Sequence, residues 1–285
     1  MSKIISVHSY RGGTGKSNTT ANLAAIIARS GNRVGIVDTD IQSPGIHVLF
    51  GFSENNMDRC LNDYLWGRCP IADAAYDVTS LLPKLASNGT LYLIPSSIKA
   101  GEIARVLREG YDVGLLTDGF QELIDALNLD YLFIDTHPGL NEETLLSITI
   151  SDILLLILRP DQQDFQGTAV TVDVARKLEV PKILMTINKA PESLDFDDLK
   201  QQVESIYNIS VAGVLPHSDK MMLLASKGVF ALHFPKDPLT AVVEGIAKQM
   251  MELTTYVDCL AIFWLDRLRS FLLGARTLLP KIFAS

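Results

Sequence analysis

The stretch SYRGGTGKSNTT, residues 9–20, decides the fold. IISV (4–7) runs into it, and TANLAAIIARS (20–30), closed by Gly31 and Asn32, runs out of it. A strand, a glycine-containing turn and a helix in that order are the setting in which G-x-x-x-x-G-K-[ST] holds a phosphate. Tyr10 stands where that pattern has its first glycine. Gly12, Gly13 and Gly15 carry no Cβ, so the main chain from Gly12 through Thr14 to Ser17 and Asn18 can close around phosphate oxygens. Lys16 has the reach for β- and γ-phosphates, the Ser17 hydroxyl can ligate Mg²⁺, and the positive end of the helix adds to the attraction.

Working outward, apolar runs recur and helical patterns follow them. KIISVHS (3–9), RVGIVD (33–38), LYLIP (91–95), YLFID (131–135), ILLLILR (153–159), KILMTIN (182–188) and ISVAGVLP (209–216) lack the alternation of a half-exposed strand. Runs of this kind suit parallel strands covered on both faces. The expected fold is therefore a doubly wound α/β domain with a mainly parallel sheet and right-handed crossovers. Residues 53–90 have weaker periodicity and predict short helices and loops. The last helix of the body is expected at PLTAVVEGIAKQMMEL (238–253), giving a domain over 1–256 and a distinct tail over 257–285.

Two runs end in carboxylates. YLFIDTHPG brings Asp135 to the carboxyl edge of the sheet, where ligands bind in such folds. VGIVDTDIQSPG carries Asp38 and Asp40 about twenty residues beyond the glycine turn, within one βαβ unit. Ser17, Asp38 and Asp135 are the candidate Mg²⁺ side chains, with Asp135 acting through water. Asp40 can orient or deprotonate an attacking water; alternatively Asp40 or Ser43 simply caps a short helix.

These pieces together resemble the MinD/ParA family of deviant Walker-A ATPases. Its loop reads K-G-G-x-G-K-[ST], and R-G-G-T-G-K-S fills it from Arg11 to Ser17. DTDIQSPG, LYLIPSS, FIDTHPG, the NK of TINKA and GVLPHSD extend the resemblance over roughly residues 1–250. The resemblance implies a slow, partner-stimulated ATPase that uses ATP and Mg²⁺ and forms an ATP-dependent homodimer. It assigns Lys16 to the phosphates, Asp40 to hydrolysis, Asn188 to adenine, and Pro216, His217 and Ser218 to the flank of the base. The guanine-reading N-K-x-D pattern is absent, since the chain continues NKAPE after Thr186 and Ile187. Arg11 occupies the place of the signature lysine, which in the family crosses the dimer to the partner's phosphates. Arginine keeps the charge but changes reach and geometry, so Arg11 either acts in trans or forms a surface pair.

Composition bounds the partners. The chain of 285 residues carries a net charge of −8. Beyond residue 259, Arg267, Arg269, Arg276 and Lys281 stand against Asp266, a net +3, so residues 1–259 carry −11. An acidic body disfavours DNA, the surface that ParA-type members bind. Cys60, Cys69 and Cys259 form no metal spacing, and the N-terminus offers no signal-peptide core, so a cytoplasmic protein is expected. Iron-protein reductases of the same fold need cluster cysteines that this spacing does not provide. On a wheel of about 100° per residue, Leu260, Trp264, Leu268, Phe271, Leu272, Ala275, Leu278 and Leu279 share one face of the tail. The arginines lie opposite, the pattern of a helix in a membrane interface, as MinD-type members have; a helix docked on the body fits the same pattern. The alternatives are a DNA-partitioning ATPase, a metabolic enzyme or metallochaperone on this fold, and a nucleotide-binding scaffold with little hydrolysis. The activating or cargo protein is not encoded in any motif.

Overall fold

The computed structural model describes residues 2–83 and 88–257. The expected tail, 257–285, lies outside the described residues except for Val257, and so does Cys259.

The chain runs β1 (Lys3–His8), α1 (Lys16–Arg29), β2 (Arg33–Asp38), α2 (Leu61–Leu65), β3 (Tyr76–Asp77), β4 (Thr90–Ile94), α3 (Ala100–Glu109), α4 (Gly114–Leu127) and β5 (Tyr131–Asp135). It continues with α5 (Glu142–Ile150), β6 (Ile153–Leu158), α6 (Gln162–Lys177), β7 (Lys182–Ala190), α7 (Phe196–Tyr207), β8 (Val211–Pro216), α8 (Asp219–Leu224), α9 (Phe230–His233) and α10 (Pro238–Val257). The strands form one sheet in the order β3-β4-β2-β5-β1-β6-β7-β8. All pairings are parallel except that of β3 with β4. This is the doubly wound architecture that the apolar runs predict.

Strand patterning explains the two covering layers. Ile5 and Val7 of β1 and Phe133 of β5 enter the cluster packed with α1, α9 and α10. Their neighbours Ile4, Leu132 and Ile134 enter a separate cluster with α4 and α5. Successive side chains of a strand point to opposite faces, so a strand buried on both faces is mostly apolar. β1 lies between β5 and β6, and β5 lies between β1 and β2. The carboxyl ends of β1, β2 and β5 therefore open side by side, which brings the glycine turn, Asp38 and Asp135 to one edge.

Candidate nucleotide-binding site

Some helices are capped by a side chain, and α1, α3, α4 and α9 are not. Asn141, Asp161, Asp195 and Ser218 each accept a main-chain N–H and cap α5, α6, α7 and α8. Helix α1 begins after Gly15 with no side-chain cap. Its first amides keep the donor capacity that an anion would use. Gly15 has φ +94, and a Cβ there would fall 2.3 Å from Asn188 Nδ2. Both the backbone conformation and the close approach require glycine.

The turn is braced from β7. Asn188 Nδ2 donates to Thr14 O at 2.7 Å, and Lys189 Nζ donates to Gly13 O at 2.8 Å. Asn188, assigned by resemblance to the base, is thus in contact with the phosphate turn here. The other base-flanking residues lie nearby: β8 ends at Pro216, which pairs with Ala190 of β7. His217 N donates to Ala190 O at 2.8 Å, and Ser218 caps α8. Tyr10, in place of the first glycine, lies against Gly167 of α6, where a Cβ would fall 2.0 Å from the ring. A side chain gained on the turn is matched by one missing from the helix beside it.

Beneath the turn, charges are buried. Lys16 Nζ donates to Asp135 Oδ1 at 3.2 Å, and Thr20 Oγ1 donates to the same oxygen at 3.1 Å. Asp135 Oδ2 is buried without a hydrogen-bond partner. Asp38 is the register partner of Asp135 across β2 and β5. Its oxygens accept from Asp40 N at 3.0 Å and Gly45 N at 3.3 Å. Burial, then the Asp135 and Asp40 charges, raise the Asp38 pKa well above the carboxylate range, while Lys16 opposes them. With Asp38 pushed toward its neutral form, the buried ion pair is Lys16 with Asp135, and two fully buried carboxyls share one lysine. Half-buried Ser17 opens α1 beside them, with Asn18 next in the helix. Among the described residues, no group of three or more His, Cys, Asp or Glu could hold a metal ion by itself. One hydroxyl and two carboxyls, one of them with its Oδ2 unpartnered, fit Mg²⁺, which keeps waters and shares phosphate oxygens.

Asp40 lies beyond β2, in the loop. Its Oδ1 accepts from Ser43 N at 3.2 Å and from His137 Nδ1 at 2.6 Å. The turn-forming bond to Ser43 and a position at the site edge thus coexist. His8, at the end of β1, is fully buried. Thr136 Oγ1 donates to Val7 O at 3.0 Å, so His8 Nδ1 is the donor in its 2.8 Å bond to Thr136 Oγ1. His8 Nε2 has no partner, and burial, aided by the Lys16 charge, lowers the His8 pKa to about 3.

Arg11 stands on the outer side of the turn. Its Nη1 lies 3.8 Å from Asp161 Oδ1 and 3.6 Å from Asp164 Oδ1. Arg159 meets the same two carboxylates at 3.1 and 3.2 Å. The carboxylates that Arg11 meets, the bond from Lys189 to the turn, His8 and His137 are site features that motif reading misses. His137 stands inside FIDTHPG and was open to notice; the others join segments far apart in the chain.

An uncapped helix after a glycine turn, with a buried lysine and two strand-end carboxyls, defines a phosphate-loop protein of the doubly wound class. A family model described as an AAA domain matches residues 2–184. An uncharacterised ATP-binding protein of Methanocaldococcus jannaschii is 25% identical over 254 residues, covering 88% of each chain. The septum site-determining protein MinD of Bacillus subtilis is 24% identical over 259 residues, covering 88% of this chain and 90% of its own. The fold is similar to that of Pyrococcus horikoshii MinD complexed with Mg-ADP, with TM-score 0.71, 20% identity, and coverage of 89% and 98%. The chain belongs to this AAA-domain family, as a MinD/ParA-type P-loop ATPase.

Proposed function

We propose that the chain is a slow ATPase switch: Mg·ATP closes a dimer of two copies, and hydrolysis reopens it. The observation that carries this reading is the buried junction of Lys16, Asp38 and Asp135 under an uncapped helix, with one carboxylate oxygen unpartnered. The Mg-ADP held by the similar Pyrococcus protein supports the same cofactors here. Main-chain amides from Gly12 to Asn18 and the Lys16 ammonium grip the phosphates. Mg²⁺, held by Ser17, Asp38 and Asp135, would neutralise phosphate charge. Asp40 orients the attacking water, Asn188 and the Pro216–Ser218 loop flank the adenine, and Arg11 leaves its carboxylates to reach the partner's phosphates.

The dimer would engage an anionic membrane through the 257–285 tail and so position division machinery or other cargo. One amphipathic helix anchors marginally, and two in a dimer add avidity. Among the described residues, no helix is long and apolar enough to cross a membrane. Steady-state hydrolysis, light scattering with ATP, and co-sedimentation with anionic vesicles test the scheme. The 1–285 chain is expected to turn over, dimerise and sediment, Asp40→Ala to dimerise without turnover, and a 1–256 chain to stay in the supernatant. Wild-type binding without turnover would leave a nucleotide-binding scaffold. Salt-sensitive DNA binding with no vesicle binding would replace the membrane by the nucleoid.

A further inference from the structure

We propose that His137 is a positioning residue for hydrolysis, holding the Asp40 carboxylate through an Nδ1–H bond from the loop after β5 to the loop after β2. The proposal rests on the reading of Asp40 as the residue that orients water.

Asp40 has no strand to hold it, because β2 ends at Asp38. Both hydrogen bonds that its carboxylate accepts use Oδ1: Ser43 N at 3.2 Å and His137 Nδ1 at 2.6 Å. Without the imidazole, one long main-chain bond would be left to fix χ1 and χ2. The Oδ1 bonds leave Oδ2 for a water. A carboxylate only accepts, so the hydrogen lies on Nδ1 and the bond is charge-assisted. No change of charge on His137 is needed.

The main chain that carries His137 is itself anchored. Thr144 Oγ1 of α5 donates to His137 O at 3.2 Å, and Thr136 N donates to Val7 O at 3.3 Å. Gly139 N donates to Ser9 O at 3.2 Å, which ties the same loop to the phosphate turn. The two loops that bear Asp40 and follow Asp135 are thus bonded to each other, and the second is bonded to the turn. The side chain is 22% exposed, and that of Asp40 is 12% exposed, so water competes weakly for their bond. A contact across 97 positions, between residues from two strand-end loops, holds a reacting group where a local turn alone would not.

The test compares His137→Ala, His137→Asn and His137→Gln with Asp40→Ala, reading kcat and Mg·ATP affinity separately. Asparagine Nδ2 lies as many bonds from Cα as the ring Nδ1, and glutamine's amide lies one bond further. Loss of a charge-assisted bond predicts a kcat about 10-fold lower for His137→Ala, with affinity within about 2-fold of wild type. His137→Asn should recover most of that loss and His137→Gln should not, and His137→Ala should add nothing to Asp40→Ala. Thermal melts report folding; if the alanine variant fails to fold, the asparagine–glutamine contrast decides. Wild-type kcat in His137→Ala, or equal kcat in the asparagine and glutamine variants, would overturn the positioning role while leaving Asp40 in place. Full hydrolysis by Asp40→Ala would instead remove the underlying reading.

Discussion

Lys16 and Arg11 sit five residues apart on one turn and live in different media. Lys16 is buried against Asp135, with a second carboxyl beside it and a low-pKa histidine below. The Arg11 side chain is 39% exposed and faces carboxylates that Arg159 also serves. A buried ion has no alternative to its partner, so Lys16 is committed to the interior of its own chain. A half-exposed guanidinium at 3.6 Å or more from its carboxylates is weakly held and can exchange partners. One turn thus carries a fixed charge for its own phosphates and an exchangeable one that faces outward.

The largest difference should appear in nucleotide affinity. Lys16→Ala removes a charged donor to phosphate and is expected to weaken Mg·ATP about 100-fold, as read by displacement of a fluorescent nucleotide. Arg11→Ala should stay within about 3-fold, because its proposed target belongs to the other copy. Equal losses in both variants would break the contrast.

A smaller effect should separate the buried side by pH. His8 has a folded pKa of about 3 against an ordinary value of 6.5. Its neutral form is the native one, so its contribution is complete above pH 6.5 and is lost as pH falls toward 3. Between pH 6.5 and 4.5 the wild type should lose about 2–3 kcal/mol relative to His8→Asn in urea unfolding. Parallel profiles for the two proteins would place His8 outside the buried charge set.

The smallest effect concerns the exposed side. Arg11→Ala should change unfolding free energy by less than about 1 kcal/mol, since the pair is solvent-screened. The same variant should nonetheless lose ATP-dependent dimerisation. A variant that dimerises and hydrolyses like the wild type would reduce Arg11 to a surface pair.

The fold was legible because its parallel strands are covered on both faces and read as unbroken apolar runs. Strand β3 was not, since two residues, Tyr76 and Asp77, carry no periodicity. Strand β7 continues to Ala190, two residues past the apolar run, where Lys189 turns back to the phosphate turn. The turn, Asp38, Asp40 and Asp135 were legible from local motifs. The bond from His137 to Asp40 was not, because its donor and acceptor come from separate motifs that only the sheet order brings together. Tyr10 departs from the motif at its first glycine, and the compensating Gly167 beneath its ring lies far away in the sequence.

Calorimetry of the wild-type protein with ATP tests the account most directly. A saturable heat with Mg²⁺ present, lost when EDTA is added or Lys16 is replaced by alanine, is the predicted result. Absence of any heat of binding with Mg·ATP, from protein that melts cooperatively, would contradict it.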